Sequence, residues 1–325
     1  MSSPGVYAWS HGTGGVHFHR MAEPIRGARL HGIHADTGNL LSDAILSQFD
    51  TVVVHMLHDR AASGAWEKLA AYDRTRMVFD CDDAMWAPDW QPFRNAYDKS
   101  ALDRLFRNVQ LAHVVTTPSP EIADHLSRFN PNVHVVPNTV PESLTKRTMR
   151  SRPHPVVGYQ GSPSHVTDID PGFTRDLGQF MVENRDWDLK IWGGDPSMAT
   201  PDGRVSVVPW QGSLAEYYKT LSMDIGLGPL APTYFNECKS SLRAVEYMAL
   251  GIVPVLTDLR PYWGWVEHGV TGYLVRPGES WYSPLMWLAK DPQARRALSV
   301  QARAAAAAWT TEANAYRWVD AWNSV

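Results

Sequence analysis

Late in the chain a lysine, two serines and a glutamate stand close together: Lys239, Ser240, Ser241 and Glu246, followed by Gly251. Serines of this kind cap helix starts and glycine ends helices, so the spacing predicts a short helix between them. A helix N-terminus presents free backbone N–H groups and a partial positive charge, which suits an anion. Lys239 adds a full charge beside it. Glu246, later on the same helix, can accept hydrogen bonds from sugar hydroxyls. An anion cradle followed by a hydroxyl acceptor meets the needs of a nucleotide diphosphate-sugar. A plain surface helix with a solvated glutamate fits the same residues.

Further groups could do related chemistry. Gly161-Ser162-Pro163-Ser164-His165 follows a predicted strand, and its small residues let backbone amides approach an anion; an ordinary loop is the alternative. His11-Gly12-Thr13-Gly14-Gly15-Val16 also follows a strand, but its spacing does not fit the dinucleotide fingerprint. His17 and His19 come next and have the look of metal ligands, a use the rest of the chain does not favour. Asp80, Asp82 and Asp83 form the sharpest charge cluster. At a strand's carboxyl end, one of them could orient an acceptor hydroxyl or take its proton; capping, pairing with an arginine, or a divalent metal are the alternatives. His58 or Asp59 could touch an acceptor, whereas His55 reads as a packing residue. Arg243 could meet a phosphate or make a surface ion pair.

Elements that alternate must position these residues. Strands are expected at 5–10, 51–55, 77–80, 114–117 and 133–136, separated by helical stretches including 16–30, 45–49, 66–72, 102–111 and 121–129. After 142–155, a polar and basic run with Lys146, Arg147, Arg150 and Arg152, the alternation resumes. Strands are expected at 156–159, 189–192, 205–208, 224–227, 253–257 and 273–275, and closing helices at 284–308 and 312–322. Such alternation implies parallel sheets covered on both faces. The chain therefore reads as α/β, with two doubly wound Rossmann-like domains facing a central cleft. Ligands are expected beyond the carboxyl ends of the strands. The expected division is an acceptor domain at 1–141, a solvated linker at 142–155, a donor domain at 156–308 and a terminal helix at 309–325.

Length and composition narrow the classes. At 325 residues, 44% hydrophobic and 20% charged, the sequence suits two ordinary globular domains. A net charge of −4 supplies no global attraction to nucleic acid or anionic lipid, though a local basic groove is not excluded by it. In the first half only Arg94, Lys99, Arg104 and Arg107 approach such a cluster. Cys81 and Cys238 suggest neither a disulfide framework nor a zinc site. No signal segment or membrane span is evident, so a cytoplasmic protein is expected. The 14 tryptophans are expected mostly in cores.

With these motifs in place, the chain resembles a retaining GT-B glycosyltransferase of the family 4 class (glycosyl transferases group 1). The resemblance runs over nearly the whole chain. In the second half it rests on 158–165, on 224–230, on the stretch from Lys239 to Gly251 with Pro254 and Val255, and on 268–275. In the first half it rests on 80–86, 116–118 and 136–138, and at the end on 309–322. It implies a nucleotide diphosphate-sugar donor held by Gly14, Gly15, Gly161, Ser162, His165, Glu237, Lys239, Ser240, Ser241 and Glu246. It implies an acceptor contacted by His17, His58, Asp80 and Asp82, and chemistry carried by Lys239, Glu246, Asp82 and Asp83. No metal or other cofactor is required on this view. The family's second donor-helix glutamate matches Glu246, while its first falls on Cys238, with Glu237 one place earlier. The chain is also short for the class, which implies trimmed loops in the acceptor domain. A non-catalytic nucleotide-sugar or carbohydrate binder and a nucleotide-sugar epimerase remain alternatives. The acceptor could be a glycan, a lipid-linked saccharide, a small molecule or a hydroxylated DNA base.

Overall fold

The computed structural model describes residues 5–10, 14–71, 74–89, 97–148, 152–161, 163–209 and 211–324. The strands are β1 (Val6–Trp9), β2 (Ala35–Gly38), β3 (Thr51–His55), β4 (Arg76–Asp80), β5 (Val114–Thr117), β6 (Val133–Val135), β7 (Val156–Gln160), β8 (Asp188–Trp192), β9 (Val205–Val208), β10 (Ile225–Gly228), β11 (Val253–Thr257) and β12 (Tyr273–Val275). The helices are α1 (Gly15–His17), α2 (Glu23–Leu30), α3 (Asp43–Leu46), α4 (Arg60–Ala70), α5 (Lys99–Leu111), α6 (Pro120–Leu126), α7 (Glu142–Thr145), α8 (Pro171–Glu183), α9 (Leu214–Thr220), α10 (Tyr234–Glu237), α11 (Leu242–Ala249), α12 (Tyr282–Lys290), α13 (Pro292–Ala306) and α14 (Thr311–Trp322). They build two compact units: Met1–Pro141 with Cys238–Ser240 and Trp309–Val325, and Glu142–Glu237 with Ser241–Ala308. Among the described residues no helix is long and apolar enough to cross a membrane.

The first unit is a six-stranded parallel sheet in the order β2-β1-β3-β4-β5-β6. Its central strands are apolar on both faces, as expected where helices cover both sides: Val52, Val53, Val54, Met77, Val78 and Phe79 are all buried. One face is covered by α2 and α14, whose Ile25, Ala28, Trp318 and Trp322 join the core with Val6, Val53 and Val78. The two helices approach so closely at Gly27 that a Cβ there would lie 2.7 Å from the Cβ of Ala315. The stretch expected as one helix over 16–30 is interrupted by a π-helical segment, Phe18–Ala22, which joins α1 to α2. Such segments mark points where an extra residue is accommodated to aim a side chain. Here the segment contains His19 and Arg20, both buried.

The second unit is also a six-stranded parallel sheet, in the order β12-β11-β10-β7-β8-β9. Val157, Leu189, Ile225, Leu227, Val253 and Val255 from its strands pack with Phe180, Trp187, Leu285 and Leu288. The stretch 142–155 is not a solvated linker in its described part. It begins with α7, whose Leu144 is buried. Arg147 donates to the carbonyls of Tyr218 and Lys219, and Arg152 pairs with Asp224 at 2.6 Å. Arg147 and Arg152 therefore fasten the stretch to the second unit.

Of the tryptophans, Trp9, Trp66, Trp187, Trp192, Trp281, Trp318 and Trp322 are core residues, while Trp263 and Trp287 are exposed.

Candidate functional site

In the first sheet the strand order reverses between β1 and β3, and in an open α/β sheet ligands settle beyond the carboxyl ends at such a point. The residues that follow β3 and β4 there are chemically rich. His55 closes β3, and its Nε2 lies 2.7 Å from Asp82 Oδ1. The next residue, Met56, has φ of +48°, a left-handed conformation uncommon outside glycine. Asp80 closes β4. A cavity of about 290 Å³ opens here, lined by Val16, His55, Met56, Leu57, His58, Asp59, Asp82, Asp83, Met85 and Tyr97.

The three aspartates have separate fates. Asp80 is wholly buried, and its carboxylate accepts from Arg20 at both oxygens (2.9 and 2.6 Å) and from Thr116 at 2.6 Å. The expectation that Asp80 meets an acceptor is therefore corrected: its side chain is closed off and committed to Arg20. Asp82 is half-buried. Burial alone would raise its pKa, but the His55 charge and hydrogen bond, with Arg20 and Lys239, hold its carboxyl below the usual range. Asp83 goes the other way. Burial, with Asp82 beside it, outweighs the pull of Lys239 and His55 and pushes it up to about 6. Its carboxylate makes no hydrogen bond among the described residues. Burial works against the charged form of His55 too, yet the Asp82 carboxylate raises its pKa overall.

The other residues expected in this unit are accounted for in turn. His17 shares a 2.5 Å hydrogen bond with Ser10 Oγ, and burial and the nearby His55 lower its pKa. His58 holds the Met56 carbonyl at 2.6 Å and lies tilted against Tyr97 with ring centroids 4.4 Å apart. Asp59 caps α4, accepting from Ala62 N–H at 2.8 Å. Gly14 and Gly15 are exposed at the start of α1, and a Cβ on Gly14 would meet nothing within 4 Å. His11, Gly12 and Thr13 lie outside the described residues. Lys239 is half-buried, and its charge is felt by Asp82 and Asp83. Ser240 Oγ accepts from Asn138 Nδ2 at 2.9 Å, and Ser119 Oγ donates to the Cys238 carbonyl at 2.7 Å. Thus 238–240, read from sequence as part of the donor helix, belong with the first unit. The basic cluster is largely self-satisfied: Lys99 pairs with Asp103, Arg104 donates to the His58 carbonyl and Ser100, and Arg107 lies 3.9 Å from Glu67; Arg94 is outside the described residues.

In the second sheet the order reverses between β7 and β10. The backbone there approaches side chains closely: a Cβ on Gly161 would lie 2.2 Å from Tyr159 Oη, and one on Gly228 would lie 3.1 Å from Arg243 Cδ. Arg243 sits in the first turn of α11 with its guanidinium 5.8 Å from the Tyr159 ring centre. Arg243 Nη1 and Tyr159 Oη are both shut from solvent with no hydrogen-bond partner among the described residues. Among the described residues Arg243 makes no surface ion pair. Buried polar atoms are almost always satisfied, so two orphans at a switch point mark a place prepared for another polar group.

Around this point the donor-side expectations are placed as follows. Ser241 is the N-cap of α11, but its hydroxyl makes no capping bond. Glu246 is buried, and its carboxylate accepts from Tyr218 Oη at 2.7 Å and Gln160 Nε2 at 3.0 Å. His165 Nδ1 is 2.7 Å from Asp168, which also accepts from the Ala231 amide and Asn236. Burial favours a protonated Asp168, but these bonds hold its pKa below the usual value. Glu237 closes α10 and accepts from the Arg260 amide at 3.1 Å. Ser162 lies outside the described residues. Sequence reasoning missed Tyr97, Tyr159, Tyr218, Asp168 and the pairing of His55; the signal available was position, since Tyr159 sits at the carboxyl end of a strand.

No protein-family model matches the chain, and no curated protein sequence does. Solved structures do. A sucrose-phosphate synthase from Thermosynechococcus elongatus is 16% identical over 99% of this chain and 98% of its own, with a TM-score of 0.71. HepE of Anabaena, in complex with UDP-glucose, is 15% identical over 99% and 100%, with a TM-score of 0.63. A glycosyltransferase from Rickettsia africae is 11% identical over 100% and 99%, with a TM-score of 0.66. At such identities the likeness is one of fold, and the chain has the two-domain, Rossmann-like α/β fold of these GT-B proteins.

Proposed function

We propose that the chain is a glycosyltransferase that moves a sugar from a nucleotide diphosphate-sugar to an acceptor hydroxyl, with retention at the anomeric carbon. The observation that carries this reading is the pair of buried, unpartnered groups, Arg243 Nη1 and Tyr159 Oη, at the switch point of the second sheet. A diphosphate supplies the acceptor oxygens that both lack, and the N-terminus of α11 favours the same charge. The shared fold with HepE, described with UDP-glucose and with UDP, supports the choice of donor.

In this reading the bond between the anomeric carbon and the diphosphate oxygen breaks, and its electron pair stays on the diphosphate. Arg243 supplies positive charge for that leaving group. The acceptor oxygen bonds to the same face of the sugar, and its proton passes to the departing diphosphate oxygen. No dedicated protein base, metal or other cofactor is then required. Glu246, the acceptor of the Tyr218 and Gln160 bonds, is assigned to the donor hydroxyls. The test is a thermal-shift panel of nucleoside diphosphates and their sugars. At least one should stabilise the protein, and the shift should vanish in Arg243→Gln.

A second reading is a nucleotide-sugar binder without catalysis. It is favoured by Cys238, which stands where the family has a glutamate and is buried, and by Glu237, which is committed to the Arg260 amide. Release of free nucleoside diphosphate with turnover separates the two: an enzyme accumulates it and a binder does not.

A further inference from the structure

Resting on the transfer reading above, we propose that the cavity at the switch point of the first sheet seats the acceptor, and that this acceptor is an uncharged saccharide ring held through two neighbouring hydroxyls by the Asp83 carboxylate. Four observations converge on it. The cavity, at about 290 Å³, falls just short of the range of small-molecule pockets, about 300 to 1,000 Å³, which suits a single small ring. Asp83 is half-buried and its carboxylate makes no hydrogen bond among the described residues, although Asp82 beside it is engaged by His55. A carboxylate in that state demands donors, and its two oxygens match the two O–H groups of a vicinal diol. The opposite character is present in the same lining. Val16, Leu57 and Met85 are apolar, and the His58 and Tyr97 rings lie against each other. A sugar ring has this same division, with C–H groups on its faces and hydroxyls at its edge. Met56, whose backbone is held at φ +48°, fixes the turn between His55 and His58; such strain concentrates at binding sites.

Charge decides against the other acceptors. Asp59, Asp82 and Asp83 line the cavity, and among the described residues of its lining the cationic candidates are His55 and His58. Arg20 and Lys239 offset Asp82 and Asp83 from outside the lining. A phosphate entering would face carboxylates, so a phosphorylated sugar or a hydroxylated base within DNA is disfavoured. The groups that set the ionisation of Asp83 are Asp82 and His55 on the sheet side and Lys239 from 238–240, with His17, Asp80, Arg20, Cys81 and Tyr97 around them.

The experiment uses the intact protein with the donor found by thermal shift. Probes are glucose, galactose, mannose, N-acetylglucosamine and maltose, against glucose 6-phosphate and duplex DNA containing hydroxymethylcytosine. Transfer to the probe and donor hydrolysis without any probe are both read. Transfer is expected to at least one neutral saccharide and to be at least tenfold less efficient to the charged probes. Asp83→Asn is expected to raise the acceptor KM at least tenfold. In the unmodified protein that KM should fall as pH rises through about 6, a profile that needs no variant. Preference for the charged probes, no transfer to any neutral saccharide, or a KM flat with pH would overturn the inference while donor binding leaves the transfer reading standing. Absence of any donor binding overturns both.

Discussion

Arg20 and Asp80 form a two-pronged ion pair, Nε to Oδ1 at 2.9 Å and Nη2 to Oδ2 at 2.6 Å, with neither side chain exposed. Arg20 also donates to the Val136 carbonyl and Asn138 Oδ1, and its guanidinium lies 4.2 Å from the Trp318 ring centre. One side chain thus ties together the π-helical segment, the end of β4, the stretch after β6 and α14. Removing one partner of such a pair leaves an uncompensated charge, at a cost of about 3–5 kcal/mol. Asp80→Ala should lose that much in urea unfolding at pH 7, and Asp82→Ala, whose site is open to water, should lose less. Equal losses would show that Asp80 has no special structural part.

That division within one acidic cluster marks how far the sequence could be read. The spacing of Asp80, Asp82 and Asp83 announced a strand end, and parallel strands alternating with helices followed from apolar runs such as 51–55 and 253–257. What spacing could not show is that Arg20, sixty residues earlier, claims one of the three. The edge strand β2 was missed because Ala-Asp-Thr-Gly has no apolar run; an edge strand needs none. The break between α12 and α13 was missed although Asp291 caps and Pro292 starts the new helix. The roles of Tyr159 and Tyr218 were invisible because a tyrosine hydroxyl finds its partner, or lacks one, only through packing.

Arg243 leads to a binding prediction. Its Nη1 is unpartnered, so Arg243→Gln removes no hydrogen bond from that atom in the free protein, although the buried Tyr262 hydroxyl loses the bond it shares with the guanidinium. A charge-assisted hydrogen bond contributes about 1.5–3 kcal/mol, which corresponds to roughly 10- to 150-fold in Kd. Titration calorimetry with the preferred nucleoside diphosphate should show a loss in that range. A Kd within threefold of the unmodified protein would remove Arg243 from the diphosphate site.

The Glu246 network has both a structural and a binding side. Tyr218 and Gln160 donate to a buried carboxylate, and deleting it strands both donors, each at about 1–3 kcal/mol. Glu246→Ala should therefore lower stability by about 2–6 kcal/mol. Tyr218→Phe removes one donor and should cost less. Donor affinity measured below the melting range separates the two sides: it should fall in Glu246→Ala and be nearly kept in Tyr218→Phe. A stable Glu246→Ala protein would mean the network is not formed in solution.

Asp83 makes a prediction about pH whose sign is fixed by the direction of its shift. Burial raises it from 3.8 to about 6, so the folded state holds this proton more tightly than the unfolded chain. Its contribution to stability is then fully present below about 3.8 and is lost as pH rises through about 6, a loss of roughly 3 kcal/mol. A carboxamide cannot ionise, so Asp83→Asn should be more stable than the unmodified protein at pH 8 by up to about 3 kcal/mol, and nearly equal to it at pH 4. The gain would accompany a loss of acceptor binding, as is common where a binding group is held in an environment that disfavours it. Urea midpoints across pH 4–8 check this directly. A variant no more stable at pH 8 than at pH 4, relative to the unmodified protein, would show that Asp83 is solvated, and the case for it as a waiting hydrogen-bond acceptor would go with it.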